Sequence, residues 1–213
     1  MIKNSFIKIN TAVISETVSK LCKQANINVS KDVYNALYNS YKKETSLKAK
    51  EILEQILENL RIAALTKRPM CQDTGIVTVF LEIGQNVILE GDLLEKAVNI
   101  GVEKAYKDNF LRKSIVDNPL FQRINTQSNT PAIIYSNITG GNSIKISVNI
   151  KGCGSENMSV VKMLSPSEGV EGVINFTLEA VKQAGGKPCP PVRLGIGIGG
   201  TMDYAALLAK KSL

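Results

Sequence analysis

Thr66-Lys67-Arg68-Pro69-Met70-Cys71-Gln72-Asp73-Thr74-Gly75-Ile76-Val77-Thr78-Val79-Phe80-Leu81-Glu82-Ile83 is where the chain changes its period. Upstream, Leu53, Ile56, Leu57, Leu60, Ala63 and Ala64 recur at helical spacing, while Glu51, Glu54, Glu58 and Arg61 take the other faces. That pattern predicts an amphipathic helix ending near Thr66-Lys67. Pro69 confirms the break, because a proline pushes the residue before it out of the helical region. Downstream, the β-branched run over residues 76–83 predicts a buried strand. Cys71-Gln72-Asp73 therefore stands at a strand's entrance, with a thiol able to ligate metal two residues from a carboxylate able to accept a proton.

Working outward, residues 1–66 read as helices. Leu94, Ala97, Val98, Val102 and Ala105 predict another amphipathic helix with Asp92 as its cap. The polar, Asn-rich stretch 108–131 has the length of a binding loop. Residues 132–135 and 143–150 predict two strands joined as a hairpin through Thr139-Gly140-Gly141-Asn142. Ser165-Pro166-Ser167-Glu168 carries a capping-box pattern with proline at the first helical position, opening a helix that stops at Gly185-Gly186. A further strand is expected over 192–198 and a helix from Met202 to the chain end. The predicted class is α+β: a helical region over about residues 1–66, then a mixed sheet flanked by helices over about 67–213, one domain incomplete at its C-terminus.

The chain has 213 residues, 44% of them hydrophobic and 21% charged, enough for one sizeable core or two small ones. No apolar run approaches the ~20 residues of a membrane span, and Met1-Ile2-Lys3-Asn4-Ser5 does not open a signal peptide. A cytoplasmic protein that contacts no membrane is expected. The net charge of +7 is spread over helical lysines that do not alternate with the sparse aromatics, which argues against nucleic-acid binding. Histidine is absent, so no Ser-His-Asp triad, Cys-His dyad or His-ligated zinc site can be assembled within the chain. Proton transfer falls to Asp, Glu, Lys, Tyr, Cys or another polypeptide.

Cysteine use sharpens this. Cys22 lies in a helical pattern and reads as a buried small hydrophobe. Cys71, Cys153 in Lys151-Gly152-Cys153-Gly154-Ser155-Glu156-Asn157, and Cys189 in Lys187-Pro188-Cys189-Pro190-Pro191 are set among glycine and proline, where thiols are presented and not packed. Without a secretion signal they read as reduced.

These motifs resemble a known family. Pro69-Met70-Cys71-Gln72-Asp73-Thr74-Gly75, Leu111-Arg112 followed by Asn125-Thr126 and Asn129-Thr130-Pro131, the Cys153 motif, and Cys189-Pro190-Pro191 through Gly199-Gly200 are similar in kind and order to the α subunit, or N-terminal half, of class I iron-sulfur fumarate hydratases and L(+)-tartrate dehydratases. The resemblance implies a hydro-lyase acting on a small dicarboxylate (fumarate/malate or tartrate), a 4Fe-4S cluster with one iron open as a Lewis acid, a β-subunit partner and a homo- or hetero-oligomer. It assigns Cys71 and Cys189 as cluster ligands, with the third ligand beyond the end of this chain. Prolines 188, 190 and 191 are expected to hold Cys189 extended.

By the same resemblance Asp73 transfers a proton, Gln72 and Asp73 bind substrate, and Arg112 takes a substrate carboxylate with its two-pronged guanidinium. Cys153 lines the substrate pocket; ligation, or a thiol filling a glycine turn, are its other readings. Asp73 as a turn former and Arg112 as a surface arginine are the plain alternatives. Arg123 either steers anions or braces its loop, while Asn125, Thr126, Asn129 and Thr130 are expected to fix the loop backbone.

Two rival functions remain open. Gly195-Ile196-Gly197-Ile198-Gly199-Gly200 satisfies G-x-G-x-x-G, a fingerprint of nicotinamide dehydrogenases, although it leaves the cysteine motifs unexplained. Alternatively the chain is a non-catalytic half that pairs with another polypeptide. In the hydro-lyase reading the glycines let the backbone approach the cluster or a neighbouring strand.

Overall fold

A computed structural model describes residues 6–189 and 191–213. They form two compact units, Met1–Ile150 and Lys151–Leu213. Along the first unit run β1 (Ile7–Asn10), α1 (Thr11–Ile27), α2 (Lys31–Lys43), α3 (Leu47–Thr66), β2 (Ile76–Gly84), β3 (Val87–Glu90), α4 (Leu94–Asp108), β4 (Ile133–Thr139) and β5 (Ile144–Lys151), the last closing on the first residue of the second unit. The class is α+β, as expected. The helical reading of residues 1–66 misses β1, which is only four residues long and pairs in parallel with β3 from Ile7↔Val87 to Asn10↔Glu90.

The helix-to-strand switch at residues 66–76 falls where the sequence places it. α3 ends at Thr66, and Lys67 caps it in the left-handed region at φ 58°. β2 is buried along nearly its whole length because it is the middle strand of a three-stranded sheet, β4-β2-β5. Its parallel register with β4 runs from Thr78↔Ile133 to Gly84↔Thr139, and the facing Phe80 and Tyr135 rings stack with centroids 5.4 Å apart. Val77, Val79, Leu81 and Ile83 meet Ile14, Val18 and Cys22 of α1 and Val98, Val102, Ala105 and Tyr106 of α4 in one core. Each fully buried aliphatic side chain contributes about 1.5–3 kcal/mol. α1 and α4 cross closely at Gly101, where an added Cβ would meet the Ser15 carbonyl oxygen at 2.4 Å. Cys22 is fully buried, and desolvation pushes its thiol up to about 12, as a packed hydrophobe requires.

Three expectations are corrected. Asp92 does not cap α4; the cap is Leu93, and Asp92 instead pairs with Lys96 at 2.9 Å, one turn on. Residues 132–135 and 143–150 do not form a hairpin, since β2 lies between β4 and β5. The Gly140-Gly141 connection crosses over the end of β2, where the Gly84 N–H donates to Ser143 O (2.8 Å) and the Asn86 N–H to Gly141 O (3.0 Å). The close passage is possible because residue 84 has no side chain: a Cβ there would lie 2.6 Å from the Gly141 oxygen.

The third correction concerns the second unit, which contains α5 (Cys153–Glu156), a 3₁₀ turn (Pro166–Glu168), α6 (Gly169–Ala184) and α7 (Met202–Lys211). The capping box forms as predicted, with the Ser165 N–H donating to Glu168 Oε2 at 2.6 Å, and the helix stops at Gly185. Residues 192–198, however, join no strand. Gly195 and Gly197 lie on the backbone of α7, where an added Cβ would come within 2.2 Å of Ala209 O and 2.0 Å of Ala205 O respectively. Among the described residues no helix is long and apolar enough to cross a membrane.

Gly84→Ala is expected to destabilise the protein by about 1–3 kcal/mol, the usual penalty for forcing extra volume into a tight contact. Urea unfolding followed by circular dichroism measures it; an unshifted midpoint would contradict the crossing over β2.

Candidate active site

Cys71 is exposed in the bend between α3 and β2, its Sγ 3.8 Å from the side-chain oxygen of Gln72, which is also exposed. The bend is anchored from behind. The Met70 N–H donates to Asn26 O at the end of α1 (2.9 Å), and Met70 O accepts from the Asn59 amide of α3 (2.8 Å). Asp73 is half-buried and turns its Oδ1 onto the Gly75 N–H at 3.2 Å, so the turn-forming role is realised. Gly75 has φ 65°, a conformation glycine adopts without strain.

The next backbone groups are held by buried side chains. Thr74, 2% exposed, donates its hydroxyl to Arg112 O at 2.8 Å, which brings the Arg112 segment against the Asp73 turn. Tyr106, with no exposed surface, donates its hydroxyl to Thr74 O and also lies 3.2 Å from Gly75 O. Burial, helped by the neighbouring Cys22 and Asp73, raises its pKa well above the ordinary phenol value, so it remains a donor. Asn129 is equally buried: its amide donates to Gly75 O at 3.1 Å and its Oδ1 accepts from the Ser114 N–H at 2.7 Å. Its φ of 58° lies in the left-handed region that asparagine tolerates.

The Arg112 side chain is exposed. Asn125 fixes its loop backbone as predicted, its Nδ2 donating to Lys113 O (3.0 Å) and its Oδ1 accepting from the Gln127 N–H (2.8 Å), whereas the Thr130 hydroxyl meets another side chain, the Ser128 hydroxyl, at 2.6 Å. Thr126 departs from that pattern: among the described residues its hydroxyl, like that of Ser114, is buried without a hydrogen-bond partner, while its backbone N–H donates to Ile115 O. Arg123 braces the loop through Pro119 O at 3.4 Å.

In the second unit Cys153 is half-buried and opens the single turn of α5. That turn backs onto the segment leading to Cys189: Ser155 Oγ donates to Pro188 O at 3.3 Å, and an added Cβ at Gly154 would meet Lys187 O at 3.2 Å. Cys189 is exposed but not extended. Its φ is 57°, and its N–H closes a turn on Gly186 O at 3.2 Å, because the chain must reverse on leaving α6. Pro190 lies outside the described residues. Glu156, at the end of α5, accepts from Lys210 of α7 (2.7 Å) and pairs with Lys151 (3.1 Å). Burial works to raise its pKa, but the two ammonium groups outweigh that and hold it below the usual carboxylate range.

The structure thus gathers Cys71, Gln72, Asp73 and Arg112 in the first unit, and the Cys153 turn with the approach to Cys189 in the second. Among the described residues no group of three or more Cys, Asp or Glu side chains could by itself hold a metal ion. The G-x-G-x-x-G run does not follow a strand, and its first two glycines accommodate α7. Sequence reading did not single out Tyr106, Thr74 or Glu156. Tyr106 falls on the apolar stripe of α4, one turn after Val102, where a phenol at the stripe's end is the available signal.

The chain is similar to known proteins over nearly its whole length. A Methanocaldococcus jannaschii protein provisionally assigned as an L(+)-tartrate dehydratase subunit alpha is 46% identical over 209 residues, covering 94% of this chain and 72% of its own length. The L(+)-tartrate dehydratase subunits alpha of Escherichia coli K12 and Shigella sonnei are each 31% identical over 204 residues, with 94% of this chain and 66% of theirs covered. The chain therefore spans about two thirds to three quarters of these relatives. With a family model matching residues 15–213 from α1 to the last residue, the chain belongs to the fumarate hydratase (Fumerase) family.

Proposed function

We infer that this chain is the α-type part of an iron-sulfur hydro-lyase that reversibly adds or removes water on a small dicarboxylate, fumarate/malate or tartrate, together with a β-type subunit. The observation that carries the reading is the Cys71–Gly75 turn, an exposed thiol and a half-buried carboxylate on a backbone secured from α1, α3, α4 and the Arg112 loop. Catalysis needs groups held in place before substrate arrives, and a backbone whose Met70, Thr74 and Gly75 carbonyls are each engaged offers that. The names of the relatives and of the family support the reaction class.

The donor chemistry suits a 4Fe-4S cluster as far as these residues extend. Cys71 and Cys189 are free, exposed thiols set on turns, unlike the packed Cys22, and thiolates are the ligands such clusters take. In this reading both bind iron, and Cys153 lines the substrate pocket. When bound, the cluster supplies a Lewis acid for departure of the substrate hydroxyl.

The chain's own side chains do the rest. Asp73 moves the proton on the carbon beside a substrate carboxylate, its orientation kept by the Gly75 N–H. Gln72 donates to substrate oxygen. Arg112 binds a carboxylate through paired N–H donors and stabilises the charge that builds on it as the proton leaves.

In protein reconstituted anaerobically with iron and sulfide, Cys71→Ser and Cys189→Ser are each expected to lose most of the bound iron and the associated visible absorption. Wild-type iron content in both variants would remove the ligand assignment. In the assembly with a β-type subunit, Asp73→Asn is expected to lower kcat by roughly 10²–10⁴-fold with iron retained, the usual share of a positioned proton-transfer group. Arg112→Lys is expected to raise KM, since a point charge cannot reproduce a forked contact. Steady-state kinetics on fumarate, malate and tartrate decide both, and unaltered constants would return these residues to ordinary surface roles.

A further inference from the structure

The side chains that secure the Asp73 turn, Tyr106, Thr74 and Asn129, are themselves buried. The Tyr106 hydroxyl spans two consecutive carbonyls, those of Thr74 and Gly75. The Asn129 amide joins the second of these carbonyls to the Ser114 N–H, two residues beyond Arg112. The Thr74 hydroxyl closes the remaining gap to the Arg112 carbonyl. The bonds to the Thr74 and Gly75 carbonyls are buried and the two to the Arg112 segment are part-buried, where an unmade bond is costly, so the set favours one arrangement of the two backbones. Neither hydroxyl is needed to fill the core: phenylalanine would occupy the volume of Tyr106, and valine that of Thr74.

Resting on the hydro-lyase reading, we propose that Tyr106 and Thr74, with Asn129, are positioning residues that hold Asp73 and Arg112 at a fixed separation through the Thr74, Gly75 and Arg112 backbone carbonyls. They contact no substrate. The two hydroxyls act on different parts of the pair. Tyr106 fixes the turn that carries the proton-transfer group, so its loss is felt in kcat. Thr74 fixes the arginine segment relative to that turn, so its loss is felt in KM as well.

The test uses the chain assembled with its β-type subunit and three variants: Tyr106→Phe, Thr74→Val and Thr74→Ser. Tyr106→Phe is expected to lower kcat at least ten-fold with KM changed less than three-fold, consistent with the large rate losses that small misplacements cause. Thr74→Val is expected to raise KM at least five-fold, and Thr74→Ser, which keeps the hydroxyl, to restore it to within two-fold of wild type. Thermal unfolding of each variant separates these effects from loss of fold. Amide hydrogen exchange over residues 72–76 gives a second measure, with Tyr106→Phe expected to speed it about ten-fold while exchange in α1 stays unchanged.

Wild-type constants in Tyr106→Phe and Thr74→Val overturn the proposal. So does a Thr74→Ser variant as impaired as Thr74→Val, because packing and not the hydrogen bond would then be at work. A wild-type assembly that turns over none of the three dicarboxylates sinks the hydro-lyase reading instead. The clamp then stands if exchange over 72–76 accelerates in Tyr106→Phe, and falls if it does not. If Tyr106→Phe unfolds, the Thr74 pair and its serine rescue decide the matter alone.

Discussion

Two adjacent peptide carbonyls, those of Thr74 and Gly75, point into the protein where water does not reach, and their need for donors shapes much of the first unit. Buried backbone oxygens are almost always paired. Here strand pairing cannot provide the partners, because β2 has not yet begun. The phenol at the end of α4 and the amide at the end of the long loop provide them instead. As a result α4, the loop and the entrance to β2 are joined at one point, and the exposed residues just upstream inherit a stationary base.

The sequence made the hinge of this arrangement legible because two periodicities meet there. The end of α3, the break at Pro69 and the buried β2 follow from the spacing of leucines and the β-branched run, each a local signal. The apolar stripe of α4, the capping box before α6 and the packing of Cys22 were readable for the same reason. What escaped were pairings between distant segments. β1 is too short to register without its partner β3, and two strands beside a glycine turn imply a hairpin unless a third strand, placed earlier in the chain, takes the position between them. Glycines 195 and 197 were legible as sites of close approach, but local sequence did not reveal that the neighbour is α7.

The candidate site shows the same division. The candidate residues Cys71, Gln72, Asp73 and Arg112 of the first unit, and Cys153 and Cys189 of the second, could be picked out because their motifs are short and contiguous. The residues behind the Asp73 turn could not, since a tyrosine on an apolar helix face looks like any other core residue until its hydroxyl is seen to reach a carbonyl from another element. Cys189 illustrates a different limit. Flanking prolines restrict their neighbours, yet a turn closing on Gly186 sets that residue in a left-handed conformation.

The parallel pairing of β1 with β3 has a bearing on biosynthesis. Ile7 and its partner Val87 are 80 positions apart, so at a ribosomal pace of about 5–20 residues per second the earlier segment waits several seconds before its partner exists. During that interval α1, whose inner face is completed by α4, has little to bury against. The nascent chain therefore carries that apolar face uncovered until α4 has been made.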